Sequence, residues 1–146
     1  MEDRNLPLIM EAGKMMREII RVLKKRTGEQ AIIKLTIEEF ILLNTIHNNE
    51  VDVIQKDMAY ILGKDKSSIL RLIDSLEDKN MVRRVVDVSD RRKNCLIVTK
   101  KGENGLSNYV EIGATLIQEL KEGLTESEMA TFYKVVNQIR NNSEKL

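Results

Sequence analysis

Residues 53–102 read VIQKDMAYILGKDKSSILRLIDSLEDKNMVRRVVDVSDRRKNCLIVTKKG. The first part predicts a short helix over about 55–62, and Gly63 then allows a sharp turn because glycine adopts backbone angles that other residues avoid. Asp65 is placed to cap a second helix, which ends at Asn80. A helix, a tight turn and a second helix predict a helix-turn-helix. The predicted buried face of the second helix, with apolar residues every three or four positions, consists of Ile69, Leu72, Ile73 and Leu76.

After Asn80 the pattern changes from a helical period to the alternation of a β-strand. Two β-rich runs, Val82–Val88 and Cys95–Val98, flank the polar turn Ser-Asp-Arg-Arg-Lys-Asn. A hairpin directly after a helix-turn-helix predicts a winged helix-turn-helix, whose second helix enters the major groove of duplex DNA. The predicted fold class is therefore mainly α with a small β-hairpin wing.

The charge distribution favours a nucleic-acid partner. The chain of 146 residues has a net charge of only +1, but residues 64–101 hold eleven Lys or Arg against six Asp or Glu, a local charge of +5. A basic segment within a near-neutral chain is typical of proteins that bind duplex DNA. The alternative is a solvated charged face, and charge alone does not separate the two interpretations.

The predicted DNA contacts lie at two places. The second helix exposes its N-terminal part, where hydroxyls and first-turn amides can donate to phosphate and cations can reach phosphates or guanine edges. At the hairpin tip three adjacent cations follow an aspartate, and an arginine there can enter a narrow minor groove. The predicted DNA-binding residues are Lys66, Ser67, Ser68, Leu70 and Arg71 on the helix and Asp90, Arg91, Arg92 and Lys93 on the wing.

Two of these residues have a second interpretation. Leu70 is apolar on a face that should be polar, so it either contacts a thymine methyl or is a leucine without a role in DNA binding. Asp90 would repel phosphate unless it pairs with a nearby arginine and fixes its direction.

The helices on both sides of the winged core carry long apolar stripes. Capping boxes at residues 36–39 and 125–128 and a cap at Thr99 predict where the second, the last and the penultimate helix begin, respectively. A compact winged-helix core is too small to bury the apolar stripes of the first, penultimate and last helices. Exposed apolar patches of that size are rare on monomers. We therefore expect a dimer about a two-fold axis, with recognition helices facing half-sites about 34 Å apart on a near-palindromic operator.

The stretch 53–102 resembles the multiple-antibiotic-resistance regulator (MarR) family of winged-helix proteins. Where the family usually has a glycine after the recognition helix, this chain has Asn80, which tolerates the left-handed cap conformation. The segments that carry the resemblance are Gln55–Ala59, Leu62–Gly63, Lys66–Ile69, Arg71–Leu72, Leu76–Glu77, Asn80–Arg84 and Asp90–Arg92, followed by Leu96, Val98, Thr99 and Gly102.

The resemblance implies a sequence-specific transcriptional regulator, a ligand-responsive repressor that binds double-stranded DNA as a homodimer. It implies that Asp90 orients the wing and that Arg91 or Arg92 enters the minor groove. The implied division is a single MarR-like domain over 1–146, with dimerisation helices at 1–28 and 103–146 and a winged helix-turn-helix core at 36–102.

The resemblance also implies an effector, because small and often phenolic or anionic molecules bind such proteins between the dimer helices and the winged domain. Its identity is open. The residues that could line such a cleft, or belong to an ordinary core, are Met15, Met16, Phe40 and Tyr109.

An enzyme and a protein-binding winged helix are the alternatives. The single histidine, His47, lies in no metal or triad motif, and no phosphate-binding glycine loop occurs, so we expect no catalysis, cofactor or metal site. A protein-binding module would not need the basic hairpin tip. Cys95 is the only cysteine and the only candidate redox switch, but its place in a strand favours an inert thiol. No apolar run approaches the roughly 20 residues of a membrane span, so we expect a cytoplasmic protein without a membrane partner.

Overall fold

The structure is a computed structural model, which describes residues 6–48, 53–54, 63–86, 88–89 and 94–146. The chain forms two compact units, residues 1–113 and residues 114–146. The short helix predicted over 55–62 lies outside the described residues.

The described residues form five helices and three short strands, so the predicted fold class, mainly α with a β-hairpin, is confirmed. Within this part of the chain, no helix combines the length and the apolar character needed to cross a membrane. In chain order the elements are α1 (Leu6–Gln30), α2 (Ile37–Asn48), β1 (Val53–Ile54), α3 (Lys66–Asp78), β2 (Val82–Val86), β3 (Asn94–Val98), α4 (Lys100–Leu120) and α5 (Glu126–Ser143).

The strands form one antiparallel sheet in the order β1-β3-β2. β2 and β3 make the predicted hairpin, in which Arg84 lies opposite Leu96. The sequence does not predict β1, whose Val53 lies opposite Leu96 on the other side of β3. Two residues are too few to show the alternation that marks a strand in a sequence. β1 joins the segment before the helix-turn-helix to the wing.

Side chains cap the helix starts as predicted. The Thr36 hydroxyl accepts from the Glu39 amide at 3.1 Å, and the Glu39 carboxylate accepts from the Thr36 amide at 2.8 Å. Thr125 and Glu128 make the same two bonds, at 3.1 and 2.8 Å. Both capping boxes satisfy amides that a helix start leaves without partners inside the helix.

The end of α3 at Asn80 is also confirmed. Asn80 has a φ of 57°, the left-handed conformation that asparagine tolerates better than most residues. Its amide donates to the Glu77 carbonyl and the Met81 amide donates to the Leu76 carbonyl, both at 2.9 Å. This pair of bonds is a Schellman motif, which turns the chain towards β2 and places Met81 in the core.

The main core lies between α2, α3, the hairpin and the start of α4. Its apolar side chains are buried by elements that lie far apart in the sequence, which makes this winged part of the chain one packed body. A smaller cluster contains Ala31, Tyr109 and Ile112. The buried members of the main core are Leu42, Leu43, Ile46, Ile69, Ile73, Leu76, Met81, Val82, Leu96 and Leu106.

The apolar stripes of the flanking helices are only partly covered. The α4 stripe divides into a buried part, which includes Leu106 and Tyr109, and an exposed part; α5 contains no buried residue. α1 also extends to Gln30, past the end expected near Gly28. The exposed large apolar residues of these helices are Leu8, Ile9, Met10, Met15 and Met16 on α1, Val110, Ile117 and Leu120 on α4, and Phe132, Tyr133, Val135 and Ile139 on α5.

The start of α4 packs closely against the turn after α3. The Thr99 hydroxyl accepts from the Gly102 amide at 3.0 Å, which confirms the predicted cap, and the Thr99 amide donates to the Met81 carbonyl at 3.0 Å. A Cβ atom at Gly102 would overlap that same Met81 carbonyl, whereas a Cβ at Gly113 would meet no atom within 4 Å. The absence of a side chain at Gly102 therefore lets the backbone of α4 lie close to the Met81 carbonyl, whereas Gly113 makes no such contact.

Replacing each of these glycines with alanine tests this difference. Gly102→Ala should lower the free energy of unfolding by about 1–3 kcal/mol, because only a backbone shift relieves the overlap. Gly113→Ala should raise it by up to about 1 kcal/mol, because alanine favours a helix more than glycine does. Urea denaturation followed by circular dichroism measures both values, and equal effects at the two sites would contradict the close approach.

Candidate nucleic-acid interface

The candidate recognition helix is α3, and its buried face is the one that the sequence predicts. Ile69, Ile73 and Leu76 are buried, and Leu72 is partly buried against the same core. Gly63 has a φ of 62° in the turn before α3, so the predicted need for glycine there is confirmed. Lys66, Ser67 and Arg71 of α3 are exposed.

Asp65 caps α3 and is hydrogen-bonded to Ser68, which the sequence predicts as a phosphate donor. Its carboxylate accepts from the Ser68 amide at 3.0 Å and from the Ser68 hydroxyl at 2.6 Å. These bonds hold the pKa of Asp65 below its ordinary value. Ser67 is exposed and Ser68 is half-buried, so Ser67 is the better placed of the two hydroxyls for a phosphate.

Three cations of α3 and the wing are exposed to solvent. Lys66, Arg71 and Arg83 are exposed, and among the described residues no carboxylate lies within ion-pair distance of any of them. The Arg71 Nε donates only to the Ser67 carbonyl, at 3.4 Å. Lys66 and Arg71 lie on α3 and Arg83 lies on β2, the first strand of the wing.

Leu70 is half-buried, although the sequence places it on the exposed face. A packing role therefore accounts for at least part of this side chain. The wing-tip residues Asp90, Arg91, Arg92 and Lys93 lie outside the described residues, so their roles stay predictions.

Arg84 joins the wing to α3, a contact that the sequence analysis missed. Its guanidinium donates to Glu77 Oε1 at 2.8 Å and to Asp74 Oδ1 at 2.5 Å, and its backbone amide donates to Glu77 Oε2 at 3.1 Å. β2 is an edge strand of the sheet, so Glu77 pairs with a backbone amide at the sheet edge as well as with the Arg84 guanidinium. Two acids inside the basic segment are thus used for internal pairing.

A second missed contact joins α3 to α2. Glu39 is buried, with only 3% of its surface exposed, and its carboxylate accepts from Lys79 Nζ at 2.8 Å, the Ser75 hydroxyl at 2.5 Å and the Thr36 amide at 2.8 Å. Burial alone would raise the pKa of Glu39, but these hydrogen bonds and the Lys79 charge outweigh it and hold the pKa below its ordinary value. The only sequence signal for Glu39 is its place in the capping box.

An open cavity of about 530 Å³ lies in the unit formed by residues 1–113. The cleft candidate Tyr109 lines it, and its hydroxyl accepts from the Leu35 amide at 2.6 Å and donates to the Leu35 carbonyl at 3.0 Å. Phe40 stacks on Tyr109 with ring centroids 5.7 Å apart. The lining residues are Ile20, Lys24, Thr27, Gly28, Lys34, Leu35, Thr36, Ile37, Glu38 and Tyr109.

The residues considered for other chemistry lie apart from the cavity. His47 is exposed at the end of α2, and Cys95 is buried in β3, where a thiol is shielded from reagents. Among the described residues, no group of three His, Cys, Asp or Glu is arranged to hold a metal ion.

Comparison with known proteins gives one family. Residues 35–93 match the model of the MarR family, so the predicted resemblance is confirmed up to residue 93.

Solved structures give the same fold over nearly the whole chain. A structure of MarR is 24% identical with a TM-score of 0.79, and the match covers 99% of this chain and 96% of that one. The transcriptional repressor CouR bound to a 23-mer DNA duplex is 21% identical with a TM-score of 0.79 and 89% coverage of both chains. The PcaV transcriptional regulator from Streptomyces coelicolor in complex with its natural ligand is 19% identical with a TM-score of 0.70, covering 90% of this chain and 92% of that one.

The buried carboxylate gives a testable pH dependence. Because the folded-state pKa of Glu39 is lowered, its contribution to stability is complete above the pKa of the unfolded chain and is lost as the pH falls through the folded-state pKa. At neutral pH, Glu39→Gln should lower the free energy of unfolding by about 1–3 kcal/mol, and the difference from the wild type should shrink with acidification.

The matched control is Glu38→Gln, which removes the neighbouring but largely exposed charge paired with Lys64. Its effect should stay below about 1 kcal/mol, as for other surface ion pairs. Urea denaturation of the three proteins at a series of pH values measures the differences. If the difference in free energy of unfolding between the wild type and Glu39→Gln does not change with pH, the Glu39 charge is not the source of the effect.

Proposed function

We propose that this protein is a sequence-specific DNA-binding regulator of transcription, since residues 35–93 match the model of the MarR family and the chain has the winged-helix fold of solved MarR-type regulators. It binds duplex DNA as a homodimer on a near-palindromic operator and acts as a ligand-responsive repressor. α3 enters the major groove and the wing tip contacts the minor groove.

The observation that carries this proposal is the charge left exposed after internal pairing. Lys64, Lys79 and Arg84 are engaged by Glu38, Glu39, Asp74 and Glu77, whereas Lys66, Arg71 and Arg83 face solvent. Two of these three lie on the helix that follows the glycine turn, where a helix-turn-helix protein contacts DNA. A winged helix that binds only proteins gives no reason for this arrangement.

The cavity supports the effector part of the proposal. Its lining joins apolar side chains to Lys24, Lys34 and Glu38. Glu38 is paired with Lys64, so the two lysines suit a small molecule with an apolar body and a negative charge. Of the four cleft candidates, Tyr109 lines this cavity, whereas Met15, Met16 and Phe40 do not.

The uncovered apolar stripes support the homodimer. The exposed apolar residues of α1 and α5 lie on the segments 1–28 and 103–146 proposed as dimerisation helices, and a second copy is the simplest cover for them.

A charge on the apolar face of α5 tests the dimer. Ile139→Glu should convert a dimer of twice 16.8 kDa into a monomer, because Ile139 is 45% exposed in the single chain and an interface would bury the new charge. Sedimentation velocity measures the mass. Asn137→Glu is the control, since residues two apart lie about 200° apart around a helix. A wild-type monomer at all concentrations would refute the dimer.

DNA binding is tested on duplexes selected from a random pool. Arg71→Ala should weaken binding by about 1–3 kcal/mol if Arg71 contacts a base edge. Arg91→Ala and Arg92→Ala should each weaken binding, and each should reduce by about one the slope of the logarithm of the binding constant against the logarithm of the salt concentration. Fluorescence anisotropy at several salt concentrations measures both quantities.

The control for these substitutions is Lys134→Ala, which removes one positive charge from exposed α5. Binding that is equally reduced by Lys134→Ala would indicate a general charge effect rather than an interface at α3 and the wing. Selected sequences without a repeat would refute the near-palindromic operator, and a wild type that binds no duplex at low salt would refute the function itself.

A further inference from the structure

Two neighbouring acidic residues in the first turn of α2 are bonded to the residues that bracket α3. Glu38 Oε1 accepts from Lys64 Nζ and Glu39 Oε2 accepts from Lys79 Nζ, each at 2.8 Å. Lys64 directly precedes the N-cap Asp65, and Lys79 is the C-cap of the helix. The start of α2 therefore holds both ends of the candidate recognition helix.

The same part of the chain forms a wall of the cavity. Lys34, Thr36 and Glu38 line the cavity, and the Lys34 carbonyl accepts from Lys79 Nζ at 3.0 Å. The Thr36 amide donates to the Glu39 carboxylate, so it shares an acceptor with Lys79. A molecule in the cavity would thus touch Lys34, which is one hydrogen bond from the C-cap of α3, and Thr36, which is linked to that C-cap through the Glu39 carboxylate.

We propose that Glu39 and Lys79 are positioning residues that transmit occupancy of the cavity to α3. A molecule that displaces the Lys34–Thr36 segment either moves Lys79, and α3 with it, or leaves the Glu39 carboxylate with fewer donors. The consequence for DNA affinity rests on the proposed function; the mechanical link between the cavity and α3 does not.

The two ion pairs differ in how firmly they can transmit a displacement. The Glu39 side chain is 4% exposed and its partner Lys79 is 34% exposed, whereas Glu38 and Lys64 are 56% and 35% exposed. Water can replace either partner of an exposed pair, so such pairs contribute little. A buried carboxylate has no such replacement, and losing a partner is costly. The Glu39–Lys79 pair therefore carries the link and the Glu38–Lys64 pair does not.

The test fills the cavity with a probe of known position. In a Cys95→Ala background, Lys24→Cys places a thiol on the cavity lining, and Lys25→Cys places one on the neighbouring exposed position, which does not line the cavity. Benzyl methanethiosulfonate labels each protein: the thiolate attacks the sulfenyl sulfur, a mixed disulfide forms and methanesulfinate leaves. The Lys25→Cys protein controls for the label itself.

Hydrogen exchange of amides 72–81, the C-terminal half of α3 and its cap, reports on the link without DNA. Labelling at Lys24→Cys should change their exchange rates by about fivefold or more, the lower end of typical couplings between sites. Labelling at Lys25→Cys should change them by less than about twofold. Adding Lys79→Met should abolish the response, and adding Lys64→Met should leave it in place.

Several outcomes would overturn the proposal: no response to the label at Lys24→Cys, an equal response at Lys25→Cys, or a response that persists with Lys79→Met. If Lys79→Met does not fold, as judged by circular dichroism, Ser75→Ala takes its place, because it removes another bond between α3 and Glu39 and should reduce the response. Operator affinity of the labelled proteins is measured separately. A hydrogen-exchange response without DNA binding would support the link and refute the proposed function.

Discussion

The need to compensate one buried carboxylate fixes the relation between α2 and α3. Placing an unpaired charge in a protein interior costs several kcal/mol. Glu39 avoids this cost through donors from three places: the Thr36 amide before α2, the Ser75 hydroxyl within α3 and the Lys79 ammonium at its end. Since the three bonds are short, at 2.5 to 2.8 Å, neither helix can shift much without weakening the set. Apolar packing alone would allow more sliding, because it has no directional requirement.

Arg84 attaches the other side of α3 by the same physical principle with the charges reversed. Its guanidinium lies between Asp74 and Glu77 of the helix, and Glu77 also accepts from its backbone amide. α3 is thus bonded to α2 through Glu39 and to the wing through Arg84, so the helix and the wing would approach DNA as one body. Two of the six acids of the basic segment, Asp74 and Glu77, are therefore used to attach the wing to α3.

How much of this was predictable depends on the distance along the chain between the interacting residues. The caps at Thr36, Asp65 and Thr125 and the end of α3 at Asn80 could be predicted because the hydrogen bonds of each span at most five residues. The Arg84 contacts span seven and ten residues, and the Glu39–Lys79 pair spans 40, so no local pattern reveals them.

The candidate site follows the same rule. Lys66, Ser67 and Arg71 are exposed, as the helical period of α3 predicts. The burial of Leu70 and the use of the Ser68 hydroxyl by Asp65 depend on neighbours that the period does not specify.

The segment between α1 and α2 is the place where these constraints meet. α4 holds it from one side, since Asn108 accepts from the Ile32 amide at 3.0 Å and the Tyr109 hydroxyl is bonded to Leu35. α3 holds it from the other side through Lys79 and the Lys34 carbonyl. Such a segment has little regular structure of its own to resist a displacement, but it is bonded to rigid helices at both edges. A change in the position of α4, whether caused by a molecule in the cavity or by a second copy of the chain, would therefore reach α3 through this segment.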